Sequence, residues 1–158
     1  MSAAPRLYRS SGRRGFLAEL ANHPARLHAR KFERQVQVRF IDAPCTVQTP
    51  EGVVHAQPGD AILTGIAGEH WRVSHSHFGD KYRPVPPTRA GQGGTYASLP
   101  NCIMTLRMSE PFEVLLADGV SRLHGRPGDW LVDYGDGSLG IITDAIFRVT
   151  YEMVDPPT

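Results

Sequence analysis

From Lys31 onward the chain alternates. Val36, Val38 and Phe40 are separated by Gln35, Gln37 and Arg39, the period of two expected of a strand with one buried face. Residues 45–49 and 53–56 are β-type stretches on either side of Pro50-Glu51-Gly52, which predicts a hairpin. Pro58-Gly59-Asp60 turns the chain into a further strand over 61–64, residues 65–68 turn it again, and 70–73 pair back. Ser74 suits the cap of a helical turn running through Phe78, and residues 82–85 read as a closing strand. Ahead of this region Phe16, Leu17, Leu20 and Ala21 share one face at helical spacing. They predict a short helix over 13–22, capped by Ser10 or Ser11 and stopped before Pro24. Residues 1–12 are expected to be loose. Residues 86–98, with Pro86, Pro87, Gly91, Gly93 and Gly94, read as a linker.

Past that linker the same order of signals returns. His55, Pro58, Gly59, Asp60, Gly68, Phe78 and Tyr82 recur at a constant offset of 69 as His124, Pro127, Gly128, Asp129, Gly137, Phe147 and Tyr151. Met104, Leu106 and Met108 match Val36, Val38 and Phe40 at an offset of 68, and Pro111, Val114, Asp118 and Gly119 match Pro44, Val47, Glu51 and Gly52 at 67. The shifts fall in turns, as duplication followed by drift leaves them. The pattern predicts a mainly β chain of two tandem, pseudo-symmetric small β-barrel or sandwich modules with a short N-terminal helix. The expected division is a basic N-terminal arm over 1–30, a first module over 31–85, the linker, and a second module over 99–158. Modules this small are expected to bury a face on each other, so that 31–158 packs as one domain.

The order Pro-Gly-Asp, apolar run, glycine turn, Phe, Tyr resembles the bacterial PGDYG domain family. It is also similar to small phage proteins that end in a Pro-Gly-Asp-Tyr module. The second copy carries the resemblance in Pro127-Gly128-Asp129-Trp130, Ile146-Phe147 and Thr150-Tyr151-Glu152, and the first copy in Gly68-Glu69. The likeness covers about residues 31–155. The motif tyrosine is replaced by Ala61 in one copy and Trp130 in the other. The resemblance implies a fold and no activity.

Composition adds little until it is divided along the chain. Over 158 residues the net charge is +1 and hydrophobic residues make up 41%, ordinary values for a soluble globular chain. Residues 1–39, however, hold nine Arg or Lys against two Glu, a basic arm on a mildly acidic body. The arm lacks a helix-turn-helix or zinc pattern, so no specific nucleic-acid partner is expected. No apolar run spans a bilayer and no apolar core follows the N-terminal arginines, so the expectation is a cytoplasmic protein without a membrane partner. Cys45 and Cys102 have no second cysteine at ligand spacing and are expected to be buried free thiols.

No catalytic motif emerges. There is no phosphate loop and no nucleophile elbow, and neither a cofactor nor a metal is expected. His75 and His77 are two apart on a predicted helical turn, where their side chains diverge. Asp60 and Asp129 have the chemistry of turn acceptors; the rival reading sets both in a shared cleft for acid–base work. His55 and His124 persist in both copies beside those turns. Glu69-His70-Trp71, together with Trp130 and Tyr134, offers aromatic area next to polar groups, which suits a flat polar ligand of nucleotide type. The expected role is therefore a non-enzymatic small-molecule binding or regulatory module. The alternatives are a small hydrolase or lyase using the paired Asp and His, and a structural subunit of a homo-oligomer. The basic arm generates one prediction. Affinity for duplex DNA, measured by fluorescence anisotropy, should be weak, sequence-independent and lost steeply with added salt, as phosphate-only contacts require.

Overall fold

A computed structural model describes residues 4–155. In chain order the elements are β1 (Arg6–Arg9), α1 (Ala18–Ala21), β2 (Leu27–Lys31), β3 (Gln35–Phe40), β4 (Cys45–Thr49), β5 (Gly52–Ala56), β6 (Ala61–Thr64), β7 (His70–Val73), α2 (His75–Lys81), β8 (Tyr82–Pro84) and β9 (Gly94–Ser98). They continue as β10 (Cys102–Arg107), β11 (Phe112–Leu115), β12 (Arg122–Gly125), β13 (Trp130–Asp133), β14 (Leu139–Ile142), α3 (Asp144–Thr150) and β15 (Tyr151–Val154). The fold is mainly β, with 45% strand. It divides into a continuous unit, Lys31–Asn101, and a two-segment unit made of the chain up to Arg30 and the chain from Cys102 onward.

In the continuous unit five strands lie in the order β7-β6-β3-β9-β8, and β4-β5 forms a separate hairpin. Strand alternation sorts the side chains. Val36, Val38, Ala61, Leu63, Val73 and Tyr96 point to one face, where Phe78 of α2 and Tyr82 of β8 close over them. Phe78 meets Phe40 and Tyr96 edge-on and stacks on Tyr82 at 5.3 Å. The opposite face is covered at one end by the hairpin, through Ile41, Val47, Ala56 and Ile62. β6 is apolar at successive positions because it is covered on both sides.

The two-segment unit has a five-stranded sheet in the order β14-β13-β10-β2-β15 and a three-stranded sheet β1-β11-β12. Ala29, Ile103, Trp130 and Val132 pack under Phe147 and Tyr151, and Trp130 stacks on Phe147 at 4.0 Å and 7°. The strand beside β10 is β2, in the register Cys102↔Arg30, Ile103↔Ala29, Met104↔His28, Thr105↔Leu27. The strand beside β3 is β9, in the register Gln35↔Ala97, Val36↔Tyr96, Gln37↔Thr95, Val38↔Gly94.

Several expectations change. The sheets stay open and are not closed into barrels; in the continuous unit β7 and β8 remain at its edges while α2 buries the apolar face that closure would otherwise hide. Residues 94–98 are no linker but an inner strand: Gly94 tolerates φ +151° at its start, and Thr95 and Tyr96 supply β-type side chains. The N-terminal arm is tied down as well, since β1 runs parallel to β11 with Tyr8 buried against Phe112. The expected helix over 13–22 shrinks to one turn. Gly15 takes a positive φ, and the chain before it runs along the β13–β14 turn through Gly12 N–H to Gly137 O at 2.9 Å and Gly15 N–H to Gly135 O at 2.7 Å. Cys45 and Cys102 are exposed rather than buried, each at the first position of its strand. No helix among the described residues is long and apolar enough to cross a membrane.

Leu20 is fully buried in α1, so Leu20→Ala should lower stability by ~2–5 kcal/mol in urea unfolding. A loose arm would leave the midpoint unmoved.

Candidate functional site

The two Pro-Gly-Asp turns explain their own recurrence. Asp60 is buried, and both of its oxygens are engaged: Oδ2 accepts from Gln57 N–H at 2.9 Å, and Oδ1 accepts from His75 N–H at 3.0 Å. One carboxylate thus closes the turn and caps α2, the capping role expected of Ser74, whose hydroxyl bonds the Nδ1 of His77 instead. Arg72 adds charge to the knot, with Nη1 3.5 Å from Asp60 Oδ2 and 3.2 Å from the His55 carbonyl. Asp129 is half-buried and repeats the turn bond, accepting from Arg126 N–H at 2.9 Å. Near it Asp144 accepts from the indole N–H of buried Trp130 at 2.9 Å and from Arg148 at 2.8 Å. Arg148 and Trp130 hold its carboxyl below the usual range. His55 and His124 are exposed on the hairpin strands β5 and β12, and His124 Nδ1 lies 3.7 Å from Glu113.

Glu69, His70 and Trp71 do not form one cluster. They start a strand, so successive side chains leave on opposite faces. Trp71 packs against the α2-side core. Glu69 closes its own turn by accepting from Ala67 N–H at 2.9 Å. His70 points the other way and bonds Thr64 Oγ1 at 3.0 Å. The register Ala61↔Val73 to Thr64↔His70 keeps Asp60 at the far end of the β6–β7 pair, roughly 14 Å from His70 at about 3.4 Å per residue. Trp71 lies over Gly65, where a Cβ would come within 2.8 Å of the indole and 1.7 Å of Glu69 Oε1. Tyr134 lies over Gly140 in the same manner, its hydroxyl 3.0 Å from where a Cβ would stand.

A different set converges. On the sheet face away from α2, four side chains stand in one row across four strands: His70, Thr64, Gln37 and Thr95. His70 bonds Thr64, and Gln37 Nε2 donates to Thr95 Oγ1 at 3.1 Å. Gln35 and Arg39 flank Gln37 on the same strand face, exposed. In the five-stranded sheet of the two-segment unit, Leu139, Asp133, Met104 and His28 form a row across four strands. There Leu139, Met104 and Asp133 are buried, and Asp133 accepts the Leu17 N–H at 2.8 Å, just ahead of α1. The polar row was half-legible in the Gln35/Gln37/Arg39 alternation. Its Thr95 end was concealed in the stretch that read as a linker.

The PGDYG protein family matches this chain over residues 52–152, a span holding both turns. The chain belongs to the PGDYG protein family. Neither a curated protein nor a solved structure matches it.

This PGDYG protein also buries ionisable groups that no motif announces. Asp133 is buried in a strand end, and its carboxyl is raised by desolvation against two backbone N–H bonds, from Leu17 and Gly135. Lys31 is half-buried along its stem, its amine 2.7 Å from the Tyr82 hydroxyl and 4.6 Å from the centre of that ring. Burial lowers the amine to about 8 and pushes the Tyr82 phenol up to about 12. Between pH ~8 and ~10.5 the unfolded lysine binds the proton that the folded one has released, so stability rises with pH. Above ~10 the unfolded tyrosine ionises first and stability falls. Urea unfolding from pH 7 to 11 should therefore show a maximum near pH ~10 with a rise of ~1–3 kcal/mol below it. Lys31→Met should abolish the rise and keep the alkaline fall. At Gly65, alanine should lower stability by ~1–3 kcal/mol through overpacking against Glu69 and Trp71, read as a fall in the thermal midpoint.

Proposed function

We propose that this PGDYG protein is a non-enzymatic binding module whose ligand lies on the polar face of the continuous unit. One contrast carries the reading. The same sheet face is buried beside α1 in the two-segment unit, whereas in the continuous unit it presents Gln37, Thr64, His70 and Thr95 as an in-register hydrogen-bonding row. Four donor and acceptor side chains at strand spacing suit a small polar ligand laid across the strands. Arg39, exposed and without a hydrogen bond or ion pair among the described residues, favours a ligand carrying negative charge, such as the phosphate of a nucleotide. The aromatic groups first expected to stack such a ligand serve packing instead: Trp71 and Tyr134 cover glycines, and Trp130 stacks on Phe147.

The proposal extends to the architecture. The two units are copies of one module that have exchanged their first strands. β2 precedes β3 in the chain yet pairs with β10, and β9 precedes β10 yet pairs with β3. The registers agree when 67 is added on β3 and subtracted on β9, Gln35↔Ala97 corresponding to Cys102↔Arg30, which sets β10 against β3 at 67 rather than the 68 expected from the sequence. The pairings within the hairpins agree as well, Thr46↔His55 with Glu113↔His124.

The test is an NMR titration of the full chain with ATP and, separately, with inorganic phosphate. Shifts should concentrate at Gln37, Thr64, His70 and Thr95. Gln37→Ala and Arg39→Ala should each weaken binding about tenfold, the worth of one charge-assisted or paired polar contact, with the thermal midpoint unchanged. Shifts centred elsewhere, or binding indifferent to both substitutions, would remove this face. Turnover of either compound, abolished by Asp60→Asn in a folded variant, would support the hydrolase or lyase reading instead.

A further inference from the structure

The two units do not stand equally in the chain. The continuous unit holds every strand of its sheet within Lys31–Asn101. The two-segment unit must bring β2, which ends at Lys31, beside β10, which begins at Cys102. Between those partners lies the whole of the continuous unit. Its ends are held together internally: Lys31 N–H donates to Asn101 O at 3.1 Å, and the buried Ser98 hydroxyl accepts from Arg34 N–H and donates to Phe32 O, each at 2.9 Å. Leu99 N–H to Lys81 O at 2.8 Å and Asn101 Nδ2 to Asp80 O at 2.8 Å tie the exit strand to the end of α2.

We infer that folding depends one way: the continuous unit folds without its neighbour, and the two-segment unit folds only on a folded continuous unit. When folded, the continuous unit delivers Arg30 and Cys102 as ready strand partners. When unfolded, it becomes a loop on the order of 70 residues, and closing such a loop lowers the pairing constant by n to the power 3/2, on the order of 500-fold. Nothing comparable acts in reverse, because no segment of the other unit interrupts residues 31–101. A ligand on the polar face of the continuous unit would then also stabilise the β2–β10 pairing, by raising the population of the closed base. The dependence rests on connectivity alone and holds whether or not that ligand reading does.

The experiment uses the full chain and two fully buried leucines, Leu63 in β6 and Leu131 in β13. In ¹H–¹⁵N spectra, Leu131→Asp should collapse the signals of Ala29, Ile103 and Val132 and keep those of Val38, Ile62 and Tyr96 dispersed. Leu63→Asp should collapse both sets. Survival of Ala29, Ile103 and Val132 in Leu63→Asp, once Val38 and Tyr96 are lost, would overturn the dependence. So would loss of both sets in Leu131→Asp. If a substitution is tolerated, a urea titration of the wild-type chain decides. The Ala29, Ile103 and Val132 signals should vanish at the same urea concentration as Val38 and Tyr96, or a lower one; the reverse order refutes the inference. Ser98→Ala, which loosens the base, should lower the midpoint of both sets together.

Discussion

A strand inside a sheet must satisfy backbone groups along both of its edges. β3 meets this on one side with β6, close by in sequence, and on the other with β9, which begins more than fifty residues after β3 ends. β10 meets it with β13 and with β2. This demand for a second partner organises the molecule. It draws the N-terminal segment into one sheet and makes an inner strand of a stretch that its glycines mark as loose. It also leaves the continuous unit lying in sequence between the two halves of the other. Around these pairings stand local hairpins, one short helix in the continuous unit and two in the other, and apolar faces sorted by alternation.

Within that frame the Pro-Gly-Asp turn acts as a joint. Proline and glycine shape the bend, but the aspartate does the joining, since a carboxylate has enough lone pairs to hold its own turn and a second element at once. Asp60 uses them on Gln57 and on the first amide of α2. At the other Pro-Gly-Asp turn two acids share the work: Asp129 keeps the turn, while Asp144, the first residue of α3, anchors Trp130 and Arg148. The residue after the turn explains the difference. Ala61 leaves room that Trp130 fills, and a buried indole N–H needs an acceptor.

Most strands were legible because half-buried strands advertise themselves by alternation, and β3 to β8 fall close to where the pattern placed them. Partnership was not legible. Alternation tells which side chains share a face but carries nothing about which strand lies alongside, so Leu27–Lys31 and Gly94–Ser98 passed as arm and linker. The candidate site suffered from the same cause. Glu69, His70 and Trp71 look like a cluster because they are neighbours in the chain, yet the pleat sends His70 to one face and Trp71 to the other. The row that does form, His70 to Thr95, joins residues from four strands and needs the register to be seen. Asp133 was hidden by its apolar neighbours, and only the arriving Leu17 amide explains a carboxyl there.

The glycine–aromatic pairs have a consequence for which substitutions these positions accept. In one sheet the glycine is at the end of the first strand and the aromatic on its partner, Gly65 and Trp71; in the other the roles are reversed, Tyr134 and Gly140. Each arrangement fills one space with one ring. Between them lie only forms with two rings competing for that space or none filling it, and both are penalised by packing. The substitutions are therefore epistatic: each is harmful alone and acceptable only in company. Neither ring can therefore move to the facing strand by a single substitution, and each pair is held as it stands by its own packing.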